Sequence, residues 1–107
     1  MFKVVVSPQA AEDLLEIKNY IENELQNPIA AKKTVKKIVE TYEGLKECPD
    51  VGISVERYVS FPTNYKFVLA NNYSIFYRLE GKNVKVVRII YSRRDFVRIL
   101  FGENESA

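Results

Sequence analysis

Tyr73-Ser74-Ile75-Phe76-Tyr77-Arg78-Leu79-Glu80, then Gly81-Lys82-Asn83, then Val84-Lys85-Val86-Val87-Arg88-Ile89-Ile90-Tyr91 is the stretch on which the fold turns. Two runs rich in β-branched and aromatic residues flank a short segment headed by glycine. That is the pattern of two antiparallel strands joined by a tight turn. Alternation places Tyr73, Ile75, Tyr77 and Leu79 on one face of the first strand, and Ser74, Phe76, Arg78 and Glu80 on the other. In the second strand the same rule sets Val84, Val86, Arg88 and Ile90 against Lys85, Val87, Ile89 and Tyr91. Upstream, residues 65–69 read as a further strand, joined through Asn71-Asn72, a residue type that tolerates turns. Arg57-Tyr58-Val59, before Pro62, reads as a short fourth strand. Such close succession predicts an antiparallel meander.

The N-terminal half has a different period. Phe2-Lys3-Val4-Val5-Val6 is a β-branched run and a strand. Ser7-Pro8 then supplies a helix cap followed by proline at the first helical position. Ala10, Leu14, Ile17, Ile21 and Leu25 recur every three or four residues, which predicts an amphipathic helix over residues 8–25. Glu12, Asp13 and Glu16 lie toward its start, where the helix dipole favours negative charge. Asn27-Pro28 repeats the start signal, and Ala31, Val35, Ile38, Val39, Tyr42 and Leu45 form the apolar face of a second helix, residues 28–46. The connection is short, so the helices form an antiparallel hairpin. Phe96-Val97-Arg98-Ile99-Leu100-Phe101 predicts a short terminal helix, and residues 102–107 a frayed tail.

Together these elements predict an α+β domain over residues 1–101: an N-terminal strand, a two-helix hairpin packed on a three- to four-stranded antiparallel meander, and a short C-terminal helix. The 107 residues, 47% of them hydrophobic, supply one core and no second domain. The longest apolar run is too short to span a membrane or act as a signal peptide, so a soluble, cytoplasmic protein is expected. There is no histidine and a single cysteine, Cys48. His-dependent catalysis, Cys-rich zinc sites and an internal disulfide are thereby excluded, and no metal or other cofactor is expected.

Charge is unevenly spread. Residues 1–56 hold seven basic against ten acidic residues, whereas residues 57–101 hold nine basic against only Glu80 and Asp95. Such a basic half attracts phosphates or an acidic partner. A helical hairpin covers one side of the sheet, so the other side is expected to carry arginines and aromatics together. Arg78, Arg88, Arg93 and Tyr73 are the candidate phosphate and RNA contacts, since guanidinium groups grip phosphate and rings stack on bases. The same surface suits an acidic, amphipathic protein segment. Alternatively, Arg78 and Arg88 pair with Glu80 and neighbouring carboxylates. On the second helix, Lys32, Lys33, Lys36 and Lys37 read either as a nucleic-acid contact or, with Glu40 and Glu43 interleaved, as a solvated face.

The order strand, two helices, meander, short helix resembles the RelE/ParE superfamily of toxins from bacterial type II toxin–antitoxin systems. The resemblance is carried by Asn72-Tyr73-Ser74-Ile75-Phe76-Tyr77-Arg78-Leu79-Glu80-Gly81, by residues 84–90 and by Tyr91-Ser92-Arg93-Arg94-Asp95-Phe96, and it extends over nearly the whole chain. It implies a toxin silenced by a cognate antitoxin that wraps around it. Ile99, Leu100 and Phe101 form an apolar cluster that either contacts such an antitoxin or folds back on the sheet. RelE-like members cut mRNA on the ribosome without metal, ParE-like members act on DNA gyrase, and an inactive relative would only bind its antitoxin.

Under the RelE-like reading, Lys66 matches a strand lysine able to serve as base, and Arg94 matches an arginine that contacts the reacting phosphate. Tyr91 stands where many members carry histidine, and its phenol can donate a proton. Elsewhere the chain departs from the pattern: Val68 replaces a second lysine, Ser74 a strand arginine, and Leu100 lies near the place of a C-terminal tyrosine. Losing a positioned electrostatic group costs about 2.7–4 kcal/mol of transition-state stabilisation. Both targets therefore stay open at this level, with the mRNA-endonuclease reading first, because the basic and aromatic strand face is retained, and the gyrase inhibitor as its alternative.

Overall fold

The sheet runs in the order β1-β5-β4-β3-β2, and its outermost member on one side is the N-terminal strand. The strands are β1 (Lys3–Val6), β2 (Ile53–Ser54), β3 (Lys66–Ala70), β4 (Tyr73–Glu80) and β5 (Asn83–Tyr91). The helices are α1 (Pro8–Asn19), α2 (Pro28–Glu43) and α3 (Phe96–Phe101). The computed structural model describes residues 2–92 and 94–102.

β3, β4 and β5 form the expected antiparallel meander. β1 joins it in parallel, with Lys3 opposite Asn83 and Val6 opposite Val86, so the sheet is five-stranded and mixed. A parallel neighbour requires a long crossover, and the helical hairpin together with the strands that follow supplies it.

Ser7 starts α1 as its sequence suggests. Its Oγ accepts a hydrogen bond from the Ala10 N–H at 3.0 Å and donates to the Val87 carbonyl at 3.1 Å. The cap thus also ties the helix start to β5. Ser7→Ala is expected to lower stability by about 1 kcal/mol; an unchanged thermal midpoint would show the cap to be dispensable.

α1 ends sooner than its apolar spacing predicts. At Tyr20 the chain passes into a π-helical turn, Tyr20–Glu24, and Gln26 takes a positive φ of 50° before Asn27 caps α2. The wider turn keeps Ile21 buried while Tyr20 stays more than half exposed. The last turn of the second helix, Gly44–Lys46, tightens to 3-10 geometry with Leu45 buried.

Two cores sandwich the sheet. On the hairpin side, Ala10, Ile38, Tyr42 and Leu45 pack against Ala70, Ile75, Tyr77, Val84, Val86 and Ile89, with Tyr73 and Leu79 at the margin. The alternation read in β4 therefore holds. In β5 it breaks. Phe76 lies opposite Arg88 and Tyr77 opposite Val86, which leaves Val87 as the extra residue of a β-bulge. Beyond the bulge the phase reverses, so Ile89 joins the hairpin-side core and Ile90 the other.

The second face is not bare. α3 folds back across it, and Phe76 and Ile90 pack with Val55, Phe96, Ile99, Leu100 and Phe101. Phe96 stacks on Phe76 at 5.3 Å, and Phe101 stacks on Tyr65 at 5.5 Å. The expectation of an open basic and aromatic face is corrected accordingly: burying the aromatic rings outweighs leaving them in water. The short strand expected at residues 57–59 is also corrected. The strand is Ile53–Ser54, and Val55–Tyr58 forms a 3-10 turn opened by the Ser54 side chain. One tight turn carries Val55 into the core and sets the Tyr58 ring 5.9 Å from Phe67.

Candidate functional site

A concavity of about 1210 Å³ opens on the hairpin side where β4 begins and β5 ends. Its walls come from α1, the π-helical turn, the start of α2 and the Asn71-Asn72 turn. Asn71 adopts a φ of 54°, a conformation that asparagine tolerates better than most residues. This turn brings Tyr73 directly opposite Tyr91 in the β4–β5 ladder. Their rings meet edge to face at 5.8 Å.

Tyr73 is the more buried of the pair, and burial, with smaller contributions from Tyr91 and Tyr20, raises its pKa. It is held as a neutral phenol, a hydrogen-bond donor rather than a base. Tyr91 is 40% exposed at the rim.

Arg94 reaches the same groove from the turn after β5. That turn is well anchored. The Ser92 N–H donates to the Asn72 carbonyl at 2.8 Å, the Arg94 N–H donates to the Tyr91 carbonyl at 2.9 Å, and the Ser74 and Ser92 hydroxyls share a hydrogen bond of 3.1 Å. The adjacent carboxylate, Asp95, caps α3 by accepting from the Arg98 N–H at 3.3 Å. Arg94 is exposed and makes no ion pair with any described residue.

Asp13 lies at the groove floor, 6% exposed. β1 stops at Val6, so the outer edge of β5 beyond Val86 has no strand partner. The Asp13 carboxylate closes that edge: Oδ2 accepts from the Ile89 N–H at 2.9 Å and from Arg88 Nε at 2.7 Å, and Oδ1 accepts from Arg88 Nη2 at 2.9 Å. Asp13 therefore serves as a buried ion-pair partner rather than as a complement to the helix dipole. Hydrogen bonding to Asp13 raises the Arg88 pKa against an opposing effect of burial.

The other residues singled out from the sequence lie elsewhere. Arg78 is paired with Glu80, and its guanidinium sits 5.6 Å over the Tyr65 ring. Lys66 stands opposite Tyr77, four residues along β4 from Tyr73, or about 13 Å at strand rise. It borders a separate, smaller depression with Ser54, Thr63 and Tyr65. Arg93 lies outside the described residues. Ile99, Leu100 and Phe101 pack against the second sheet face, the alternative weighed for them above. So Tyr73, Tyr91 and Arg94 come together, Arg78 and Arg88 are engaged by carboxylates, and Lys66 is remote.

Sequence reasoning missed Tyr20, Thr34 and the two turn asparagines, which complete the groove. An aromatic residue just off the apolar stripe of α1 was the available signal for Tyr20. Chemically, the groove offers phenols, amides, the Thr34 hydroxyl, one guanidinium, the exposed Glu16 carboxylate and apolar walls, a set suited to recognition. Among the described residues no three acidic or cysteine side chains come together as metal ligands.

A family model described as the ParE toxin of the type II toxin-antitoxin system, parDE, matches residues 4–96. The fold is similar to a chain of the chromosomal ParDE TA system from P. aeruginosa, with a TM-score of 0.71 and 25% identity, covering 85% of this chain and 96% of that one. It is also similar to the YoeB dimer from Staphylococcus aureus, with a TM-score of 0.56, 27% identity and 84% and 95% coverage. The heterotetrameric YoeB-YefM toxin-antitoxin complex from the same organism gives 0.54, 26%, 85% and 97%. No curated protein matches the chain.

Proposed function

The chain belongs to the ParE toxin family of type II toxin–antitoxin systems, and we propose that it poisons a protein target, DNA gyrase, without cutting RNA. The observation that carries this reading is the state of the cations. Arg88 is held in a two-pronged bond to Asp13, Arg78 is paired with Glu80, and Lys66 lies far along the sheet from Tyr91 and Arg94. A nuclease needs base, acid and phosphate-binding cations around one phosphorus. A protein-binding groove needs apolar walls and a few polar anchors. The groove at Tyr73, Tyr91 and Arg94 is of the second kind.

A cognate antitoxin completes the proposal, since the ParDE and YoeB-YefM structures are of toxin–antitoxin systems. Tyr20, Leu25 and Ile29, each more than half exposed beside the groove, supply apolar surface for an amphipathic antitoxin segment. This surface takes the place of Ile99, Leu100 and Phe101, whose apolar area is largely spent on the sheet.

The purified chain is expected to block gyrase supercoiling of a plasmid and to leave mRNA intact in a translating ribosome complex. Pulse labelling after induction should show DNA synthesis failing before protein synthesis. Message cut at inhibitory toxin concentrations, or early loss of translation, would return the molecule to the mRNA-endonuclease reading.

Arg94→Ala is expected to weaken gyrase inhibition about thirty-fold, the size of one central interface arginine worth about 2 kcal/mol. Antitoxin capture, resting on the apolar wall, should change little in a pull-down. Full inhibition by the variant would remove Arg94 from the contact.

A further inference from the structure

The outer face of α2 carries a charge pattern that the proposed target does not use. Lys32, Lys33, Lys36 and Lys37 are all exposed, while Ala31, Ile38 and Tyr42 are buried beneath them. Their spacing makes two rows of two, and within each row the lysines are one helical turn, about 6 Å, apart. The carboxylates that could neutralise them do not. Glu43 is bonded to Lys46 at 3.3 Å, and no ion pair among the described residues involves any of the four lysines. Glu40 shares the face, but it follows Lys36 by four residues, the weaker order for a helical pair.

We propose that this lysine face binds the phosphate backbone of a nucleic-acid duplex without reading its sequence. The residue types select that ligand. Lysine is a flexible point charge suited to phosphate, and it is depleted from the cores of protein–protein interfaces. No aromatic residue lies among the four, so the stacking platform that holds single strands is missing. A straight helix with evenly spaced cations complements a regular line of phosphates, and the affinity comes from released counterions. The inference is independent of the gyrase reading, because the lysine face is outside the groove and the failure of either assay leaves the other intact.

The test is fluorescence anisotropy of the full chain with labelled DNA and RNA duplexes of the same arbitrary sequence across a salt series. Four phosphate contacts give a log–log salt slope of about −3.6, so affinity should fall roughly a hundred-fold between about 50 and 200 mM salt. Replacing all four lysines with glutamine, which has similar helix propensity, should weaken binding at least about ten-fold and flatten the slope. A Lys82→Gln/Lys85→Gln variant, altered beside the β4–β5 turn, should bind like the parent. Equal binding to DNA and RNA marks the backbone as ligand, and preference for one duplex names its source. The proposal falls if the parent chain binds no duplex at low salt, or if the four-glutamine variant, with unchanged circular dichroism, keeps its affinity and slope. It also falls if polyglutamate binds the face as tightly as the duplex, which would assign it to an acidic protein.

Discussion

Replacing Asp13 with alanine lowers the stability of the folded chain by about 3–5 kcal/mol, the range for stripping one partner from a buried ion pair. The side chain has three bonds to lose. Two come from the Arg88 guanidinium and one from the Ile89 N–H, and no other described carboxylate pairs with Arg88. The variant leaves a three-quarters-buried cation and an unpaired strand edge. For a domain of this size, such a loss moves the thermal midpoint down by more than about 10 °C. Removing both charges behaves differently. Asp13→Leu/Arg88→Met exchanges the ion pair for apolar packing and should recover the part of the loss due to the stranded cation, since the pair costs much of its attraction in desolvation, while the Ile89 N–H stays without its acceptor. The interaction energy from the cycle of Asp13→Leu, Arg88→Met and their combination is the decisive quantity: a value near zero would mean that the contact contributes nothing specific. Because the pair joins α1 to β5 at the groove floor, it also holds the wall carrying Glu16 and Tyr20 against the strand carrying Tyr91.

The contact also shows what a one-dimensional reading can reach. β4 was legible because alternation is a property of one strand, and Tyr73, Ile75, Tyr77 and Leu79 all lie on the hairpin side. The two helices were legible through their caps: Ser7 and Asn27 each bond the backbone N–H three residues on. β5 was not fully legible. The extra residue at Val87 exists only relative to the partner strand, and it reverses the phase of everything after it. The position of β1 beside β5 is likewise a pairing across some eighty residues, which no local pattern encodes.

The candidate site was legible by half. Tyr73, Tyr91 and Arg94 carry their chemistry in a recognisable segment, and the ladder brings them together. Arg78 and Arg88 carry the same chemistry on paper, but whether a guanidinium is free depends on carboxylates that the fold delivers. Glu80 is two residues from Arg78, whereas Asp13 comes from another element altogether. Lys66 matched a motif position, yet the register sets it opposite Tyr77 instead of Tyr73. Covering of the second face by α3 depended on a helix of six residues choosing a side, and the aromatic residues of β3 and β4 decide it.

The second large effect lies where the loop before β2 meets β4. Tyr77 is fully buried, and its phenol donates to the Pro49 carbonyl at 2.7 Å and accepts from the Gly52 N–H at 3.0 Å. Burial raises its pKa, and the Gly52 N–H only partly offsets that, so the phenol stays neutral and able to donate. It is the pin that fastens residues 49–52 to β4. A methyl group on Gly52 would press on the phenol oxygen and lie 2.8 Å from Tyr77 Cε1 and 3.0 Å from the Phe67 carbonyl. Both neighbours are fixed by the strand ladder, so the ring must leave its position. Gly52→Ala is expected to cost at least about 1–3 kcal/mol through overpacking, with the two hydrogen bonds lost in addition. Tyr77→Phe removes the oxygen alone and costs about 1–3 kcal/mol by leaving Pro49 and Gly52 unpaired. The two changes should not add. Without the phenol oxygen the added methyl meets less resistance, so the double variant should be more stable than the sum of the single losses requires, by about 1 kcal/mol. Strict additivity in urea unfolding would break the proposed steric link. Inhibition by the folded fraction should persist in all three variants, because Tyr77 is four residues along β4 from Tyr73 and neither it nor Gly52 lines the groove of Tyr73, Tyr91 and Arg94.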